Sequence, residues 1–428
     1  MTWVATAGVL ALGLTACGPS EGGQSDGDSE SASLRIAWSG SDDRTQRTEE
    51  ALDLYREQHP EVDIQVEFTT STNFWDRLTT QVAGGNAPDI IQMSGQTLAE
   101  YASSDVLLDL EPYVGEQIDI DGWDQELLDR QTLDGTLYGV PPGVDAHGLI
   151  YNVTKFDELG IDPLPTEWSW SDYREIVNAI SEAGGDAYYG SEDGGSSYEA
   201  FQTFLAQRGK TLFNGPAQAA ELGFESDDLH DWWQMWGELQ EQGAVVPPDM
   251  QTEFGLNPEN SGVIQDYAAM DWTTSSQFTN FVGLTDDELD ITTYPFGPNG
   301  TPGQVWRAGL AWSITSSSEH PDVAADLINF LVNDESAARA QLATRGVPAS
   351  PSAADIVRDE VDDTEIRSFE HLETVQELDA EITPLLPVGW GDFVDAYQRI
   401  YYEYAYGRMS LDDAVETFMT EASAAVES

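Results

Sequence analysis

The sequence predicts an α/β protein of two lobes, and three observations carry that expectation. Its 428 residues exceed what one hydrophobic core ordinarily supports, so division into two is the default. Between residues 34 and 93, apolar runs alternate with helical patterns in the order of a parallel sheet with helical crossovers. The third is the stretch Tyr138–Asn152, where a strand runs into Pro141-Pro142-Gly143 and a second apolar run follows at His147–Tyr151. Proline cannot donate to a ladder, so the first run stops there. A strand that pauses and restarts suits a chain crossing between lobes. Taken alone, the same stretch equally suits a buried strand pair in an ordinary α/β enzyme.

The elements follow in order. Val4–Thr15 is a short apolar run, and Leu14-Thr15-Ala16-Cys17 matches the bacterial lipobox. This predicts a signal peptide over 1–16 and diacylation of Cys17 at the outer face of the membrane. No Lys or Arg precedes Cys17, although export signals normally begin basic, which leaves the true start of that signal open. Residues 17–33 are rich in Gly, Ser, Asp and Glu without apolar periodicity, and read as a disordered tether. Leu34–Trp38 is a buried first strand. A helix follows from about Arg44 to Gln58, with Asp42 or Asp43 near its cap, and Pro60 ends it. Val62–Phe68 alternates as a strand with one covered face, and the helix opening at Asn73 stops at the Gly84–Pro88 turn before the strand Asp89–Met93. After the first crossing come a helix start near Trp168–Tyr173, capped by Ser171 or Asp172, and helical patterns at Tyr198–Gln207 and Leu229–Gln242. A strand at Ile291–Pro295 marks the second crossing, Pro321–Asn333 is a helix, and Arg345-Gly346-Val347-Pro348 marks the third. Helices at Asp392–Tyr406 and Leu411–Ala425 close the chain.

Charge and motifs exclude several functions. The formal net charge is −61, and Lys155 and Lys210 are the only lysines. Such a chain repels nucleic acid and anionic membrane surfaces, which are bound through clustered cations. It suits concentrated salt or an alkaline medium. The single cysteine excludes a disulfide framework, and five scattered histidines offer no ligand spacing, so neither metal nor cofactor is expected. No phosphate-binding glycine loop, H-E-x-x-H or G-x-S-x-G elbow occurs. With 78 acids, no pair can be singled out as a hydrolytic dyad. Tryptophans near predicted strand ends and glycine-rich loops (Trp38, Trp75, Trp272, Trp306, Trp312, Trp390) could stack on sugar rings or pack inside; Trp312 favours the core.

Three segments carry a family resemblance. They are the "YGVP…LIYN" pattern at Tyr138–Asn152, "WDRLTTQVAGGNAPDIIQM" at Trp75–Met93, and "HPDVAADLINFLVNDESAARAQLATRGVPAS" at His320–Ser350. Together the chain resembles the extracellular solute-binding proteins of family 1, the sugar-binding type that serves ABC importers. The resemblance implies a periplasmic-binding-protein fold with three inter-lobe crossings. Lobe I would comprise 34–144 with 294–345, and lobe II 145–293 with 346–428. It further implies a monomer that closes by a hinge on a neutral mono- or oligosaccharide, delivers it to the permease, and breaks no bond. Ligand contacts would come from Trp38, Ser39, Asp42, Asn73, Ser94, Gln96, Asp145, Trp272, Trp306, Arg345 and Trp390. Met93 stands where related binders carry an aromatic. No Arg or Lys cluster falls among these loops, Arg345 and Arg307 being the nearest candidates, which disfavours a phosphate or dicarboxylate. A secreted carbohydrate-active enzyme and a polyamine binder of the same fold remain as alternatives.

Overall fold

The computed structural model describes residues 32–426 except 70, 186–187 and 255–257, so the expected signal peptide, Cys17 and nearly all of the tether lie outside the described residues. The strands are β1 (Ser33–Ser39), β2 (Asp63–Thr69), β3 (Ile90–Ser94), β4 (Thr132–Leu133), β5 (Thr136–Leu137), β6 (Gly143–Asn152) and β7 (Phe213–Asn214). Then follow β8 (Glu221–Leu222), β9 (Met270–Thr274), β10 (Leu289–Thr292), β11 (Val305–Arg307), β12 (Leu310–Ile314), β13 (Val347–Pro348) and β14 (Glu381–Ile382).

The first sheet has the order β12-β3-β1-β2. β1 runs parallel to β2 and to β3, as crossover helices require, and β12 returns antiparallel against β3. Helices cover it where the sequence places apolar residues at helical spacing. In Pro321–Asn333, a proline opens the helix and Ala324, Leu327, Ile328 and Leu331 form its buried stripe. Helix Asp42–Gln58 begins at Ser41, whose hydroxyl accepts from the Arg44 backbone N–H. The expected cap at Asp42 or Asp43 is therefore one turn position late: both lie in the first turn, where carboxylates favour the helix dipole. Likewise Ser169, not Ser171 or Asp172, caps helix Trp170–Gly184, and Asp172 reaches back as the second half of a capping box.

The second sheet is built around β6, with the order β10-β6-β11-β14 and with β9 and β13 also pairing to β6. The strand does not restart after the prolines but runs unbroken from Gly143 to Asn152, all ten residues buried. Its first residues pair with β13, Asp145 and Ala146 with β11, and His147–Asn152 with β9 and β10. Four strands of distant sequence thus lie along β6, and glycine permits the closest approach. A Cβ on Gly143 would sit 2.5 Å from the Arg345 carbonyl, and Gly346, at φ +91°, would meet Val144 O at 2.4 Å.

Separate cores flank this junction. One, around β1, β3 and β12, contains Leu34, Ile36, Trp38, Trp312 and Ile314. The other is an aromatic core of helices Tyr198–Ala206, Ser226–Glu241 and Trp390–Ala405, with Phe201, Trp232, Trp236, Trp390 and Tyr397. Inside it, Asp193 accepts from Tyr401 Oη at 2.7 and 2.8 Å and from the Gly195 N–H at 2.8 Å. Burial nevertheless pushes its carboxyl up to about 6. Because the folded value lies above the ordinary carboxylate value of about 3.9, this contribution to stability is present below about pH 4 and is lost as pH rises through about 6. Asp193→Asn is expected to flatten the melting temperature across that window. An unchanged pH slope in the variant would remove Asp193 as its source.

A candidate ligand cavity at the junction of the lobes

An enclosed cavity of about 190 Å3 lies where β3, β6, β11 and helix Tyr198–Ala206 converge. Ser94, Gly95 and Gln96 form the wall beyond the carboxyl end of β3, the side on which open α/β sheets take ligands. Arg130 and Gln131 come from the hairpin region, His147 from β6, and Arg307 from β11. Tyr198 and Gln202 face them from their helix, and the segment 383–386 closes the remaining side. Gln96 Nε2 donates to Tyr198 Oη at 2.8 Å and so spans the cavity.

The charge of Arg307 at the cavity is already neutralised. Arg307 Nε donates to Asp145 Oδ1 at 3.1 Å, with Glu199 at 4.0 Å on the other side of the guanidinium. Burial works against charge on Arg307, but Asp145, Tyr198 and Glu199 outweigh it and hold the group above its usual value. Burial likewise opposes ionisation of Asp145, and Arg307, His147 and the Ser276 hydroxyl outweigh it, holding Asp145 below the usual carboxylate range. His147 is pushed down to about 3 by burial and then by Arg307, so it is a neutral imidazole at physiological pH. Two polar atoms of lining residues, each with almost no surface of its own open to the cavity, are left without partners among the described residues, Gln131 Oε1 and Thr383 Oγ1. Unfilled buried groups of this kind are costly.

Of the expected contact residues, Ser94 and Gln96 reach the cavity wall. Asp145 stands behind Arg307 and acts on the cavity through it. The other positions correct the sequence reading. Trp38 is fully buried against Phe68 and Trp312, because its strand is central in a sheet covered on both faces. Ser39 is buried, and its carbonyl accepts from Gln92. Asp42 and Asn73 are exposed on their helices and are not among the lining residues. Trp390 packs edge-on behind Tyr198, ring centroids 4.7 Å apart, so it supports a wall residue and does not itself face the cavity. Trp272 is held among Trp170, Trp236 and Tyr294, with its indole N–H on the Glu192 carbonyl. Trp306 lines a separate open groove of about 960 Å3 with Asp124 and Gln376; that groove meets the cavity at Arg130 and Leu385. Arg345 is buried between Gln92 and Thr48 and does not line the cavity.

Sequence reasoning missed Arg130, Gln131, Tyr198 and Gln202 and put Arg307 only among the nearest cations. Two guanidiniums, Arg130 and Arg307, line the cavity, where the sequence reading expected no cluster of cations. No carboxylate is among the lining residues, and no group of described residues is arranged to hold a metal ion.

Two α/β lobes with an enclosed polar cavity at their junction define a ligand-capturing binding protein. The model of the family "Bacterial extracellular solute-binding protein" matches residues 39–338, and the chain belongs to that family. Among curated relatives, the galactooligosaccharide-binding protein of Bacillus subtilis is 23% identical over 421 residues, covering 95% of this chain and 94% of that protein. Among solved structures, a periplasmic solute-binding protein of Pectobacterium atrosepticum superposes with a TM-score of 0.83 at 19% identity, covering 92% of this chain and 100% of that one. A periplasmic oligogalacturonide-binding protein of Yersinia enterocolitica, in complex with saturated digalacturonic acid, gives 0.81 at 24% identity, covering 92% and 99%.

Proposed function

We propose that the chain is the sugar-capturing component of an ABC importer and binds a neutral saccharide or short oligosaccharide at the cavity. The observation that carries this reading is the run of neutral hydrogen-bonding side chains in the wall, Ser94, Gln96, Gln131, Gln202 and Thr383, beside an Arg307 that is already paired. A hydroxyl-rich neutral ligand matches such donors and acceptors without bringing uncompensated charge. The cavity is smaller than the about 300–1,000 Å3 of ordinary small-molecule sites, so it takes about one sugar ring; further units would extend over Trp306. The galactooligosaccharide named for the Bacillus subtilis relative supports the same class. An amine ligand finds no carboxylate in the wall, and hydrolysis finds no acid pair there. An acidic sugar is the second reading, favoured by Arg130 and Arg307.

Gln131→Met tests the site. It removes a buried acceptor that lacks a partner among the described residues, so the melting temperature should hold or rise while affinity falls about tenfold, the scale of one hydrogen bond. Unchanged affinity would take Gln131 out of the ligand contacts.

The wider reading keeps lobe I at 34–144 with 294–345, lobe II at 145–293 with 346–428, and three crossings near β6, β11 and β13 as the hinge. The closed form is what the permease recognises. Ligand-induced compaction in small-angle scattering is the expected result, and an unchanged radius would contradict hinge closure. Cys17 carries the lipid anchor and the protein acts as a monomer on the outer face of a salt-adapted cell. Mass spectrometry of the mature terminus should show a diacylated Cys17; an unmodified one rules the anchor out.

A further inference from the structure

Among the described residues the buried Arg345 has no carboxylate partner. Its Nε donates to Gln92 Oε1 at 3.0 Å and its Nη1 to Thr48 Oγ1 at 2.9 Å and Gln341 Oε1 at 3.4 Å, all neutral acceptors. The guanidinium carbon lies 4.9 Å from the centre of the Trp312 ring. Its Nη2 is buried with no acceptor among the described residues, and so is the hydroxyl of the preceding residue, Thr344. Burial weakens the hold of Arg345 on its proton, and a neighbouring charge of the same sign adds to it: half-buried Arg44, itself favoured by the more distant Asp145, donates from Nε to the Thr344 carbonyl at 2.9 Å. Among the described residues neither arginine has a salt-bridge partner within 4.0 Å. In a chain with 78 acids against 17 lysines and arginines, that is the reverse of what composition favours.

A buried cation without a counter-charge is strongly unfavourable, and a second cation beside it makes matters worse. A guanidinium with spare N–H groups, a second arginine and a hydroxyl together make an anion-binding donor set. We propose that Arg345, Arg44 and Thr344 take up one small monovalent anion, chloride in a saline medium. The place is specific, because Gly346 and Val347 carry this segment directly onto Val144 of β6. The anion therefore stabilises the contact between β6 and β13 by neutralising the arginines that lie next to it. This uptake adds a saturable, ion-specific stabilisation to the general screening that any salt provides.

The test is thermal melting of the full chain, without saccharide, in sodium chloride and in sodium gluconate at matched concentrations. Gluconate screens equally but is too bulky for an enclosed donor set. Chloride is expected to raise the melting temperature by a few degrees more than gluconate, with saturation. Arg44→Gln, at a half-buried position that tolerates the change, should abolish most of that difference. Crystals soaked in bromide should show an anomalous peak within hydrogen-bonding distance of Arg345 Nη2. Superimposed chloride and gluconate curves, or a bromide-soaked crystal with only water at Arg345, overturn the proposal. Since no sugar is present, neither result bears on the saccharide reading.

Discussion

Trp38→Ala is expected to destabilise the protein by about 3–5 kcal/mol, the usual cost of emptying a buried aromatic position, and to leave the sugar affinity of the molecules that remain folded unchanged. The side chain is fully buried, with ring centroids 6.5 Å from both Phe68 and Trp312. Truncation leaves a cavity between the central strand of the first sheet and its neighbours. Set against a total stability of about 5–15 kcal/mol, that loss is large, so the variant is best studied with denaturant at low temperature and calorimetry on the folded fraction. A stable variant that no longer binds sugar would return Trp38 to the ligand.

Arg307→Met is expected to cost about 3–5 kcal/mol of stability, because removing one partner of a buried ion pair strands the other. The Asp145 side chain is only 12% exposed and would keep a single hydrogen-bond donor of those described here, Ser276. The sign with pH follows. Asp145 is held below the ordinary carboxylate range while Arg307 is present, so the pair contributes stability that is present above about pH 4 and is lost as pH falls and the carboxylate takes up a proton. The loss in Arg307→Met should therefore be greatest near neutrality and shrink in acid. Asp145→Asn in the same chain should recover part of it, since no stranded charge remains. Strictly additive losses in the double variant would mean that the two side chains are not coupled.

Much of the fold was legible in the sequence because it rests on periodicity. The alternation of Asp63–Thr69 and the apolar stripe of Pro321–Asn333 arise from packing one face against a core, and each is visible within a few residues. Caps were displaced by one to three residues, because Ser41 and Ser169 each compete with a nearby acid for the same role. The site was legible only where topology alone locates it: Ser94 ends a parallel strand and Gln96 lies in the loop beyond it, the place such sheets reserve for ligands. The tryptophans were not separable, since an indole near a strand end suits a core or a cleft equally. Which one it meets is decided by residues far away in sequence, as Trp312 decides for Trp38 and Tyr198 for Trp390. Gln131, Gln202 and Arg307 come together from three unconnected segments, and no local pattern announces that.

The central claim is that the cavity captures a neutral saccharide without cleaving it. Titration calorimetry of the full chain against neutral oligosaccharides, uronic oligosaccharides and spermidine tests it most directly, with each mixture then analysed for cleavage products. The account predicts binding of a neutral saccharide near micromolar affinity, about −8 kcal/mol, and intact sugar afterwards. Tight binding of uronic oligosaccharides in its place would move the reading to the acidic sugar that Arg130 and Arg307 favour. Spermidine binding with no response to any saccharide, or the appearance of shortened sugars, would contradict it.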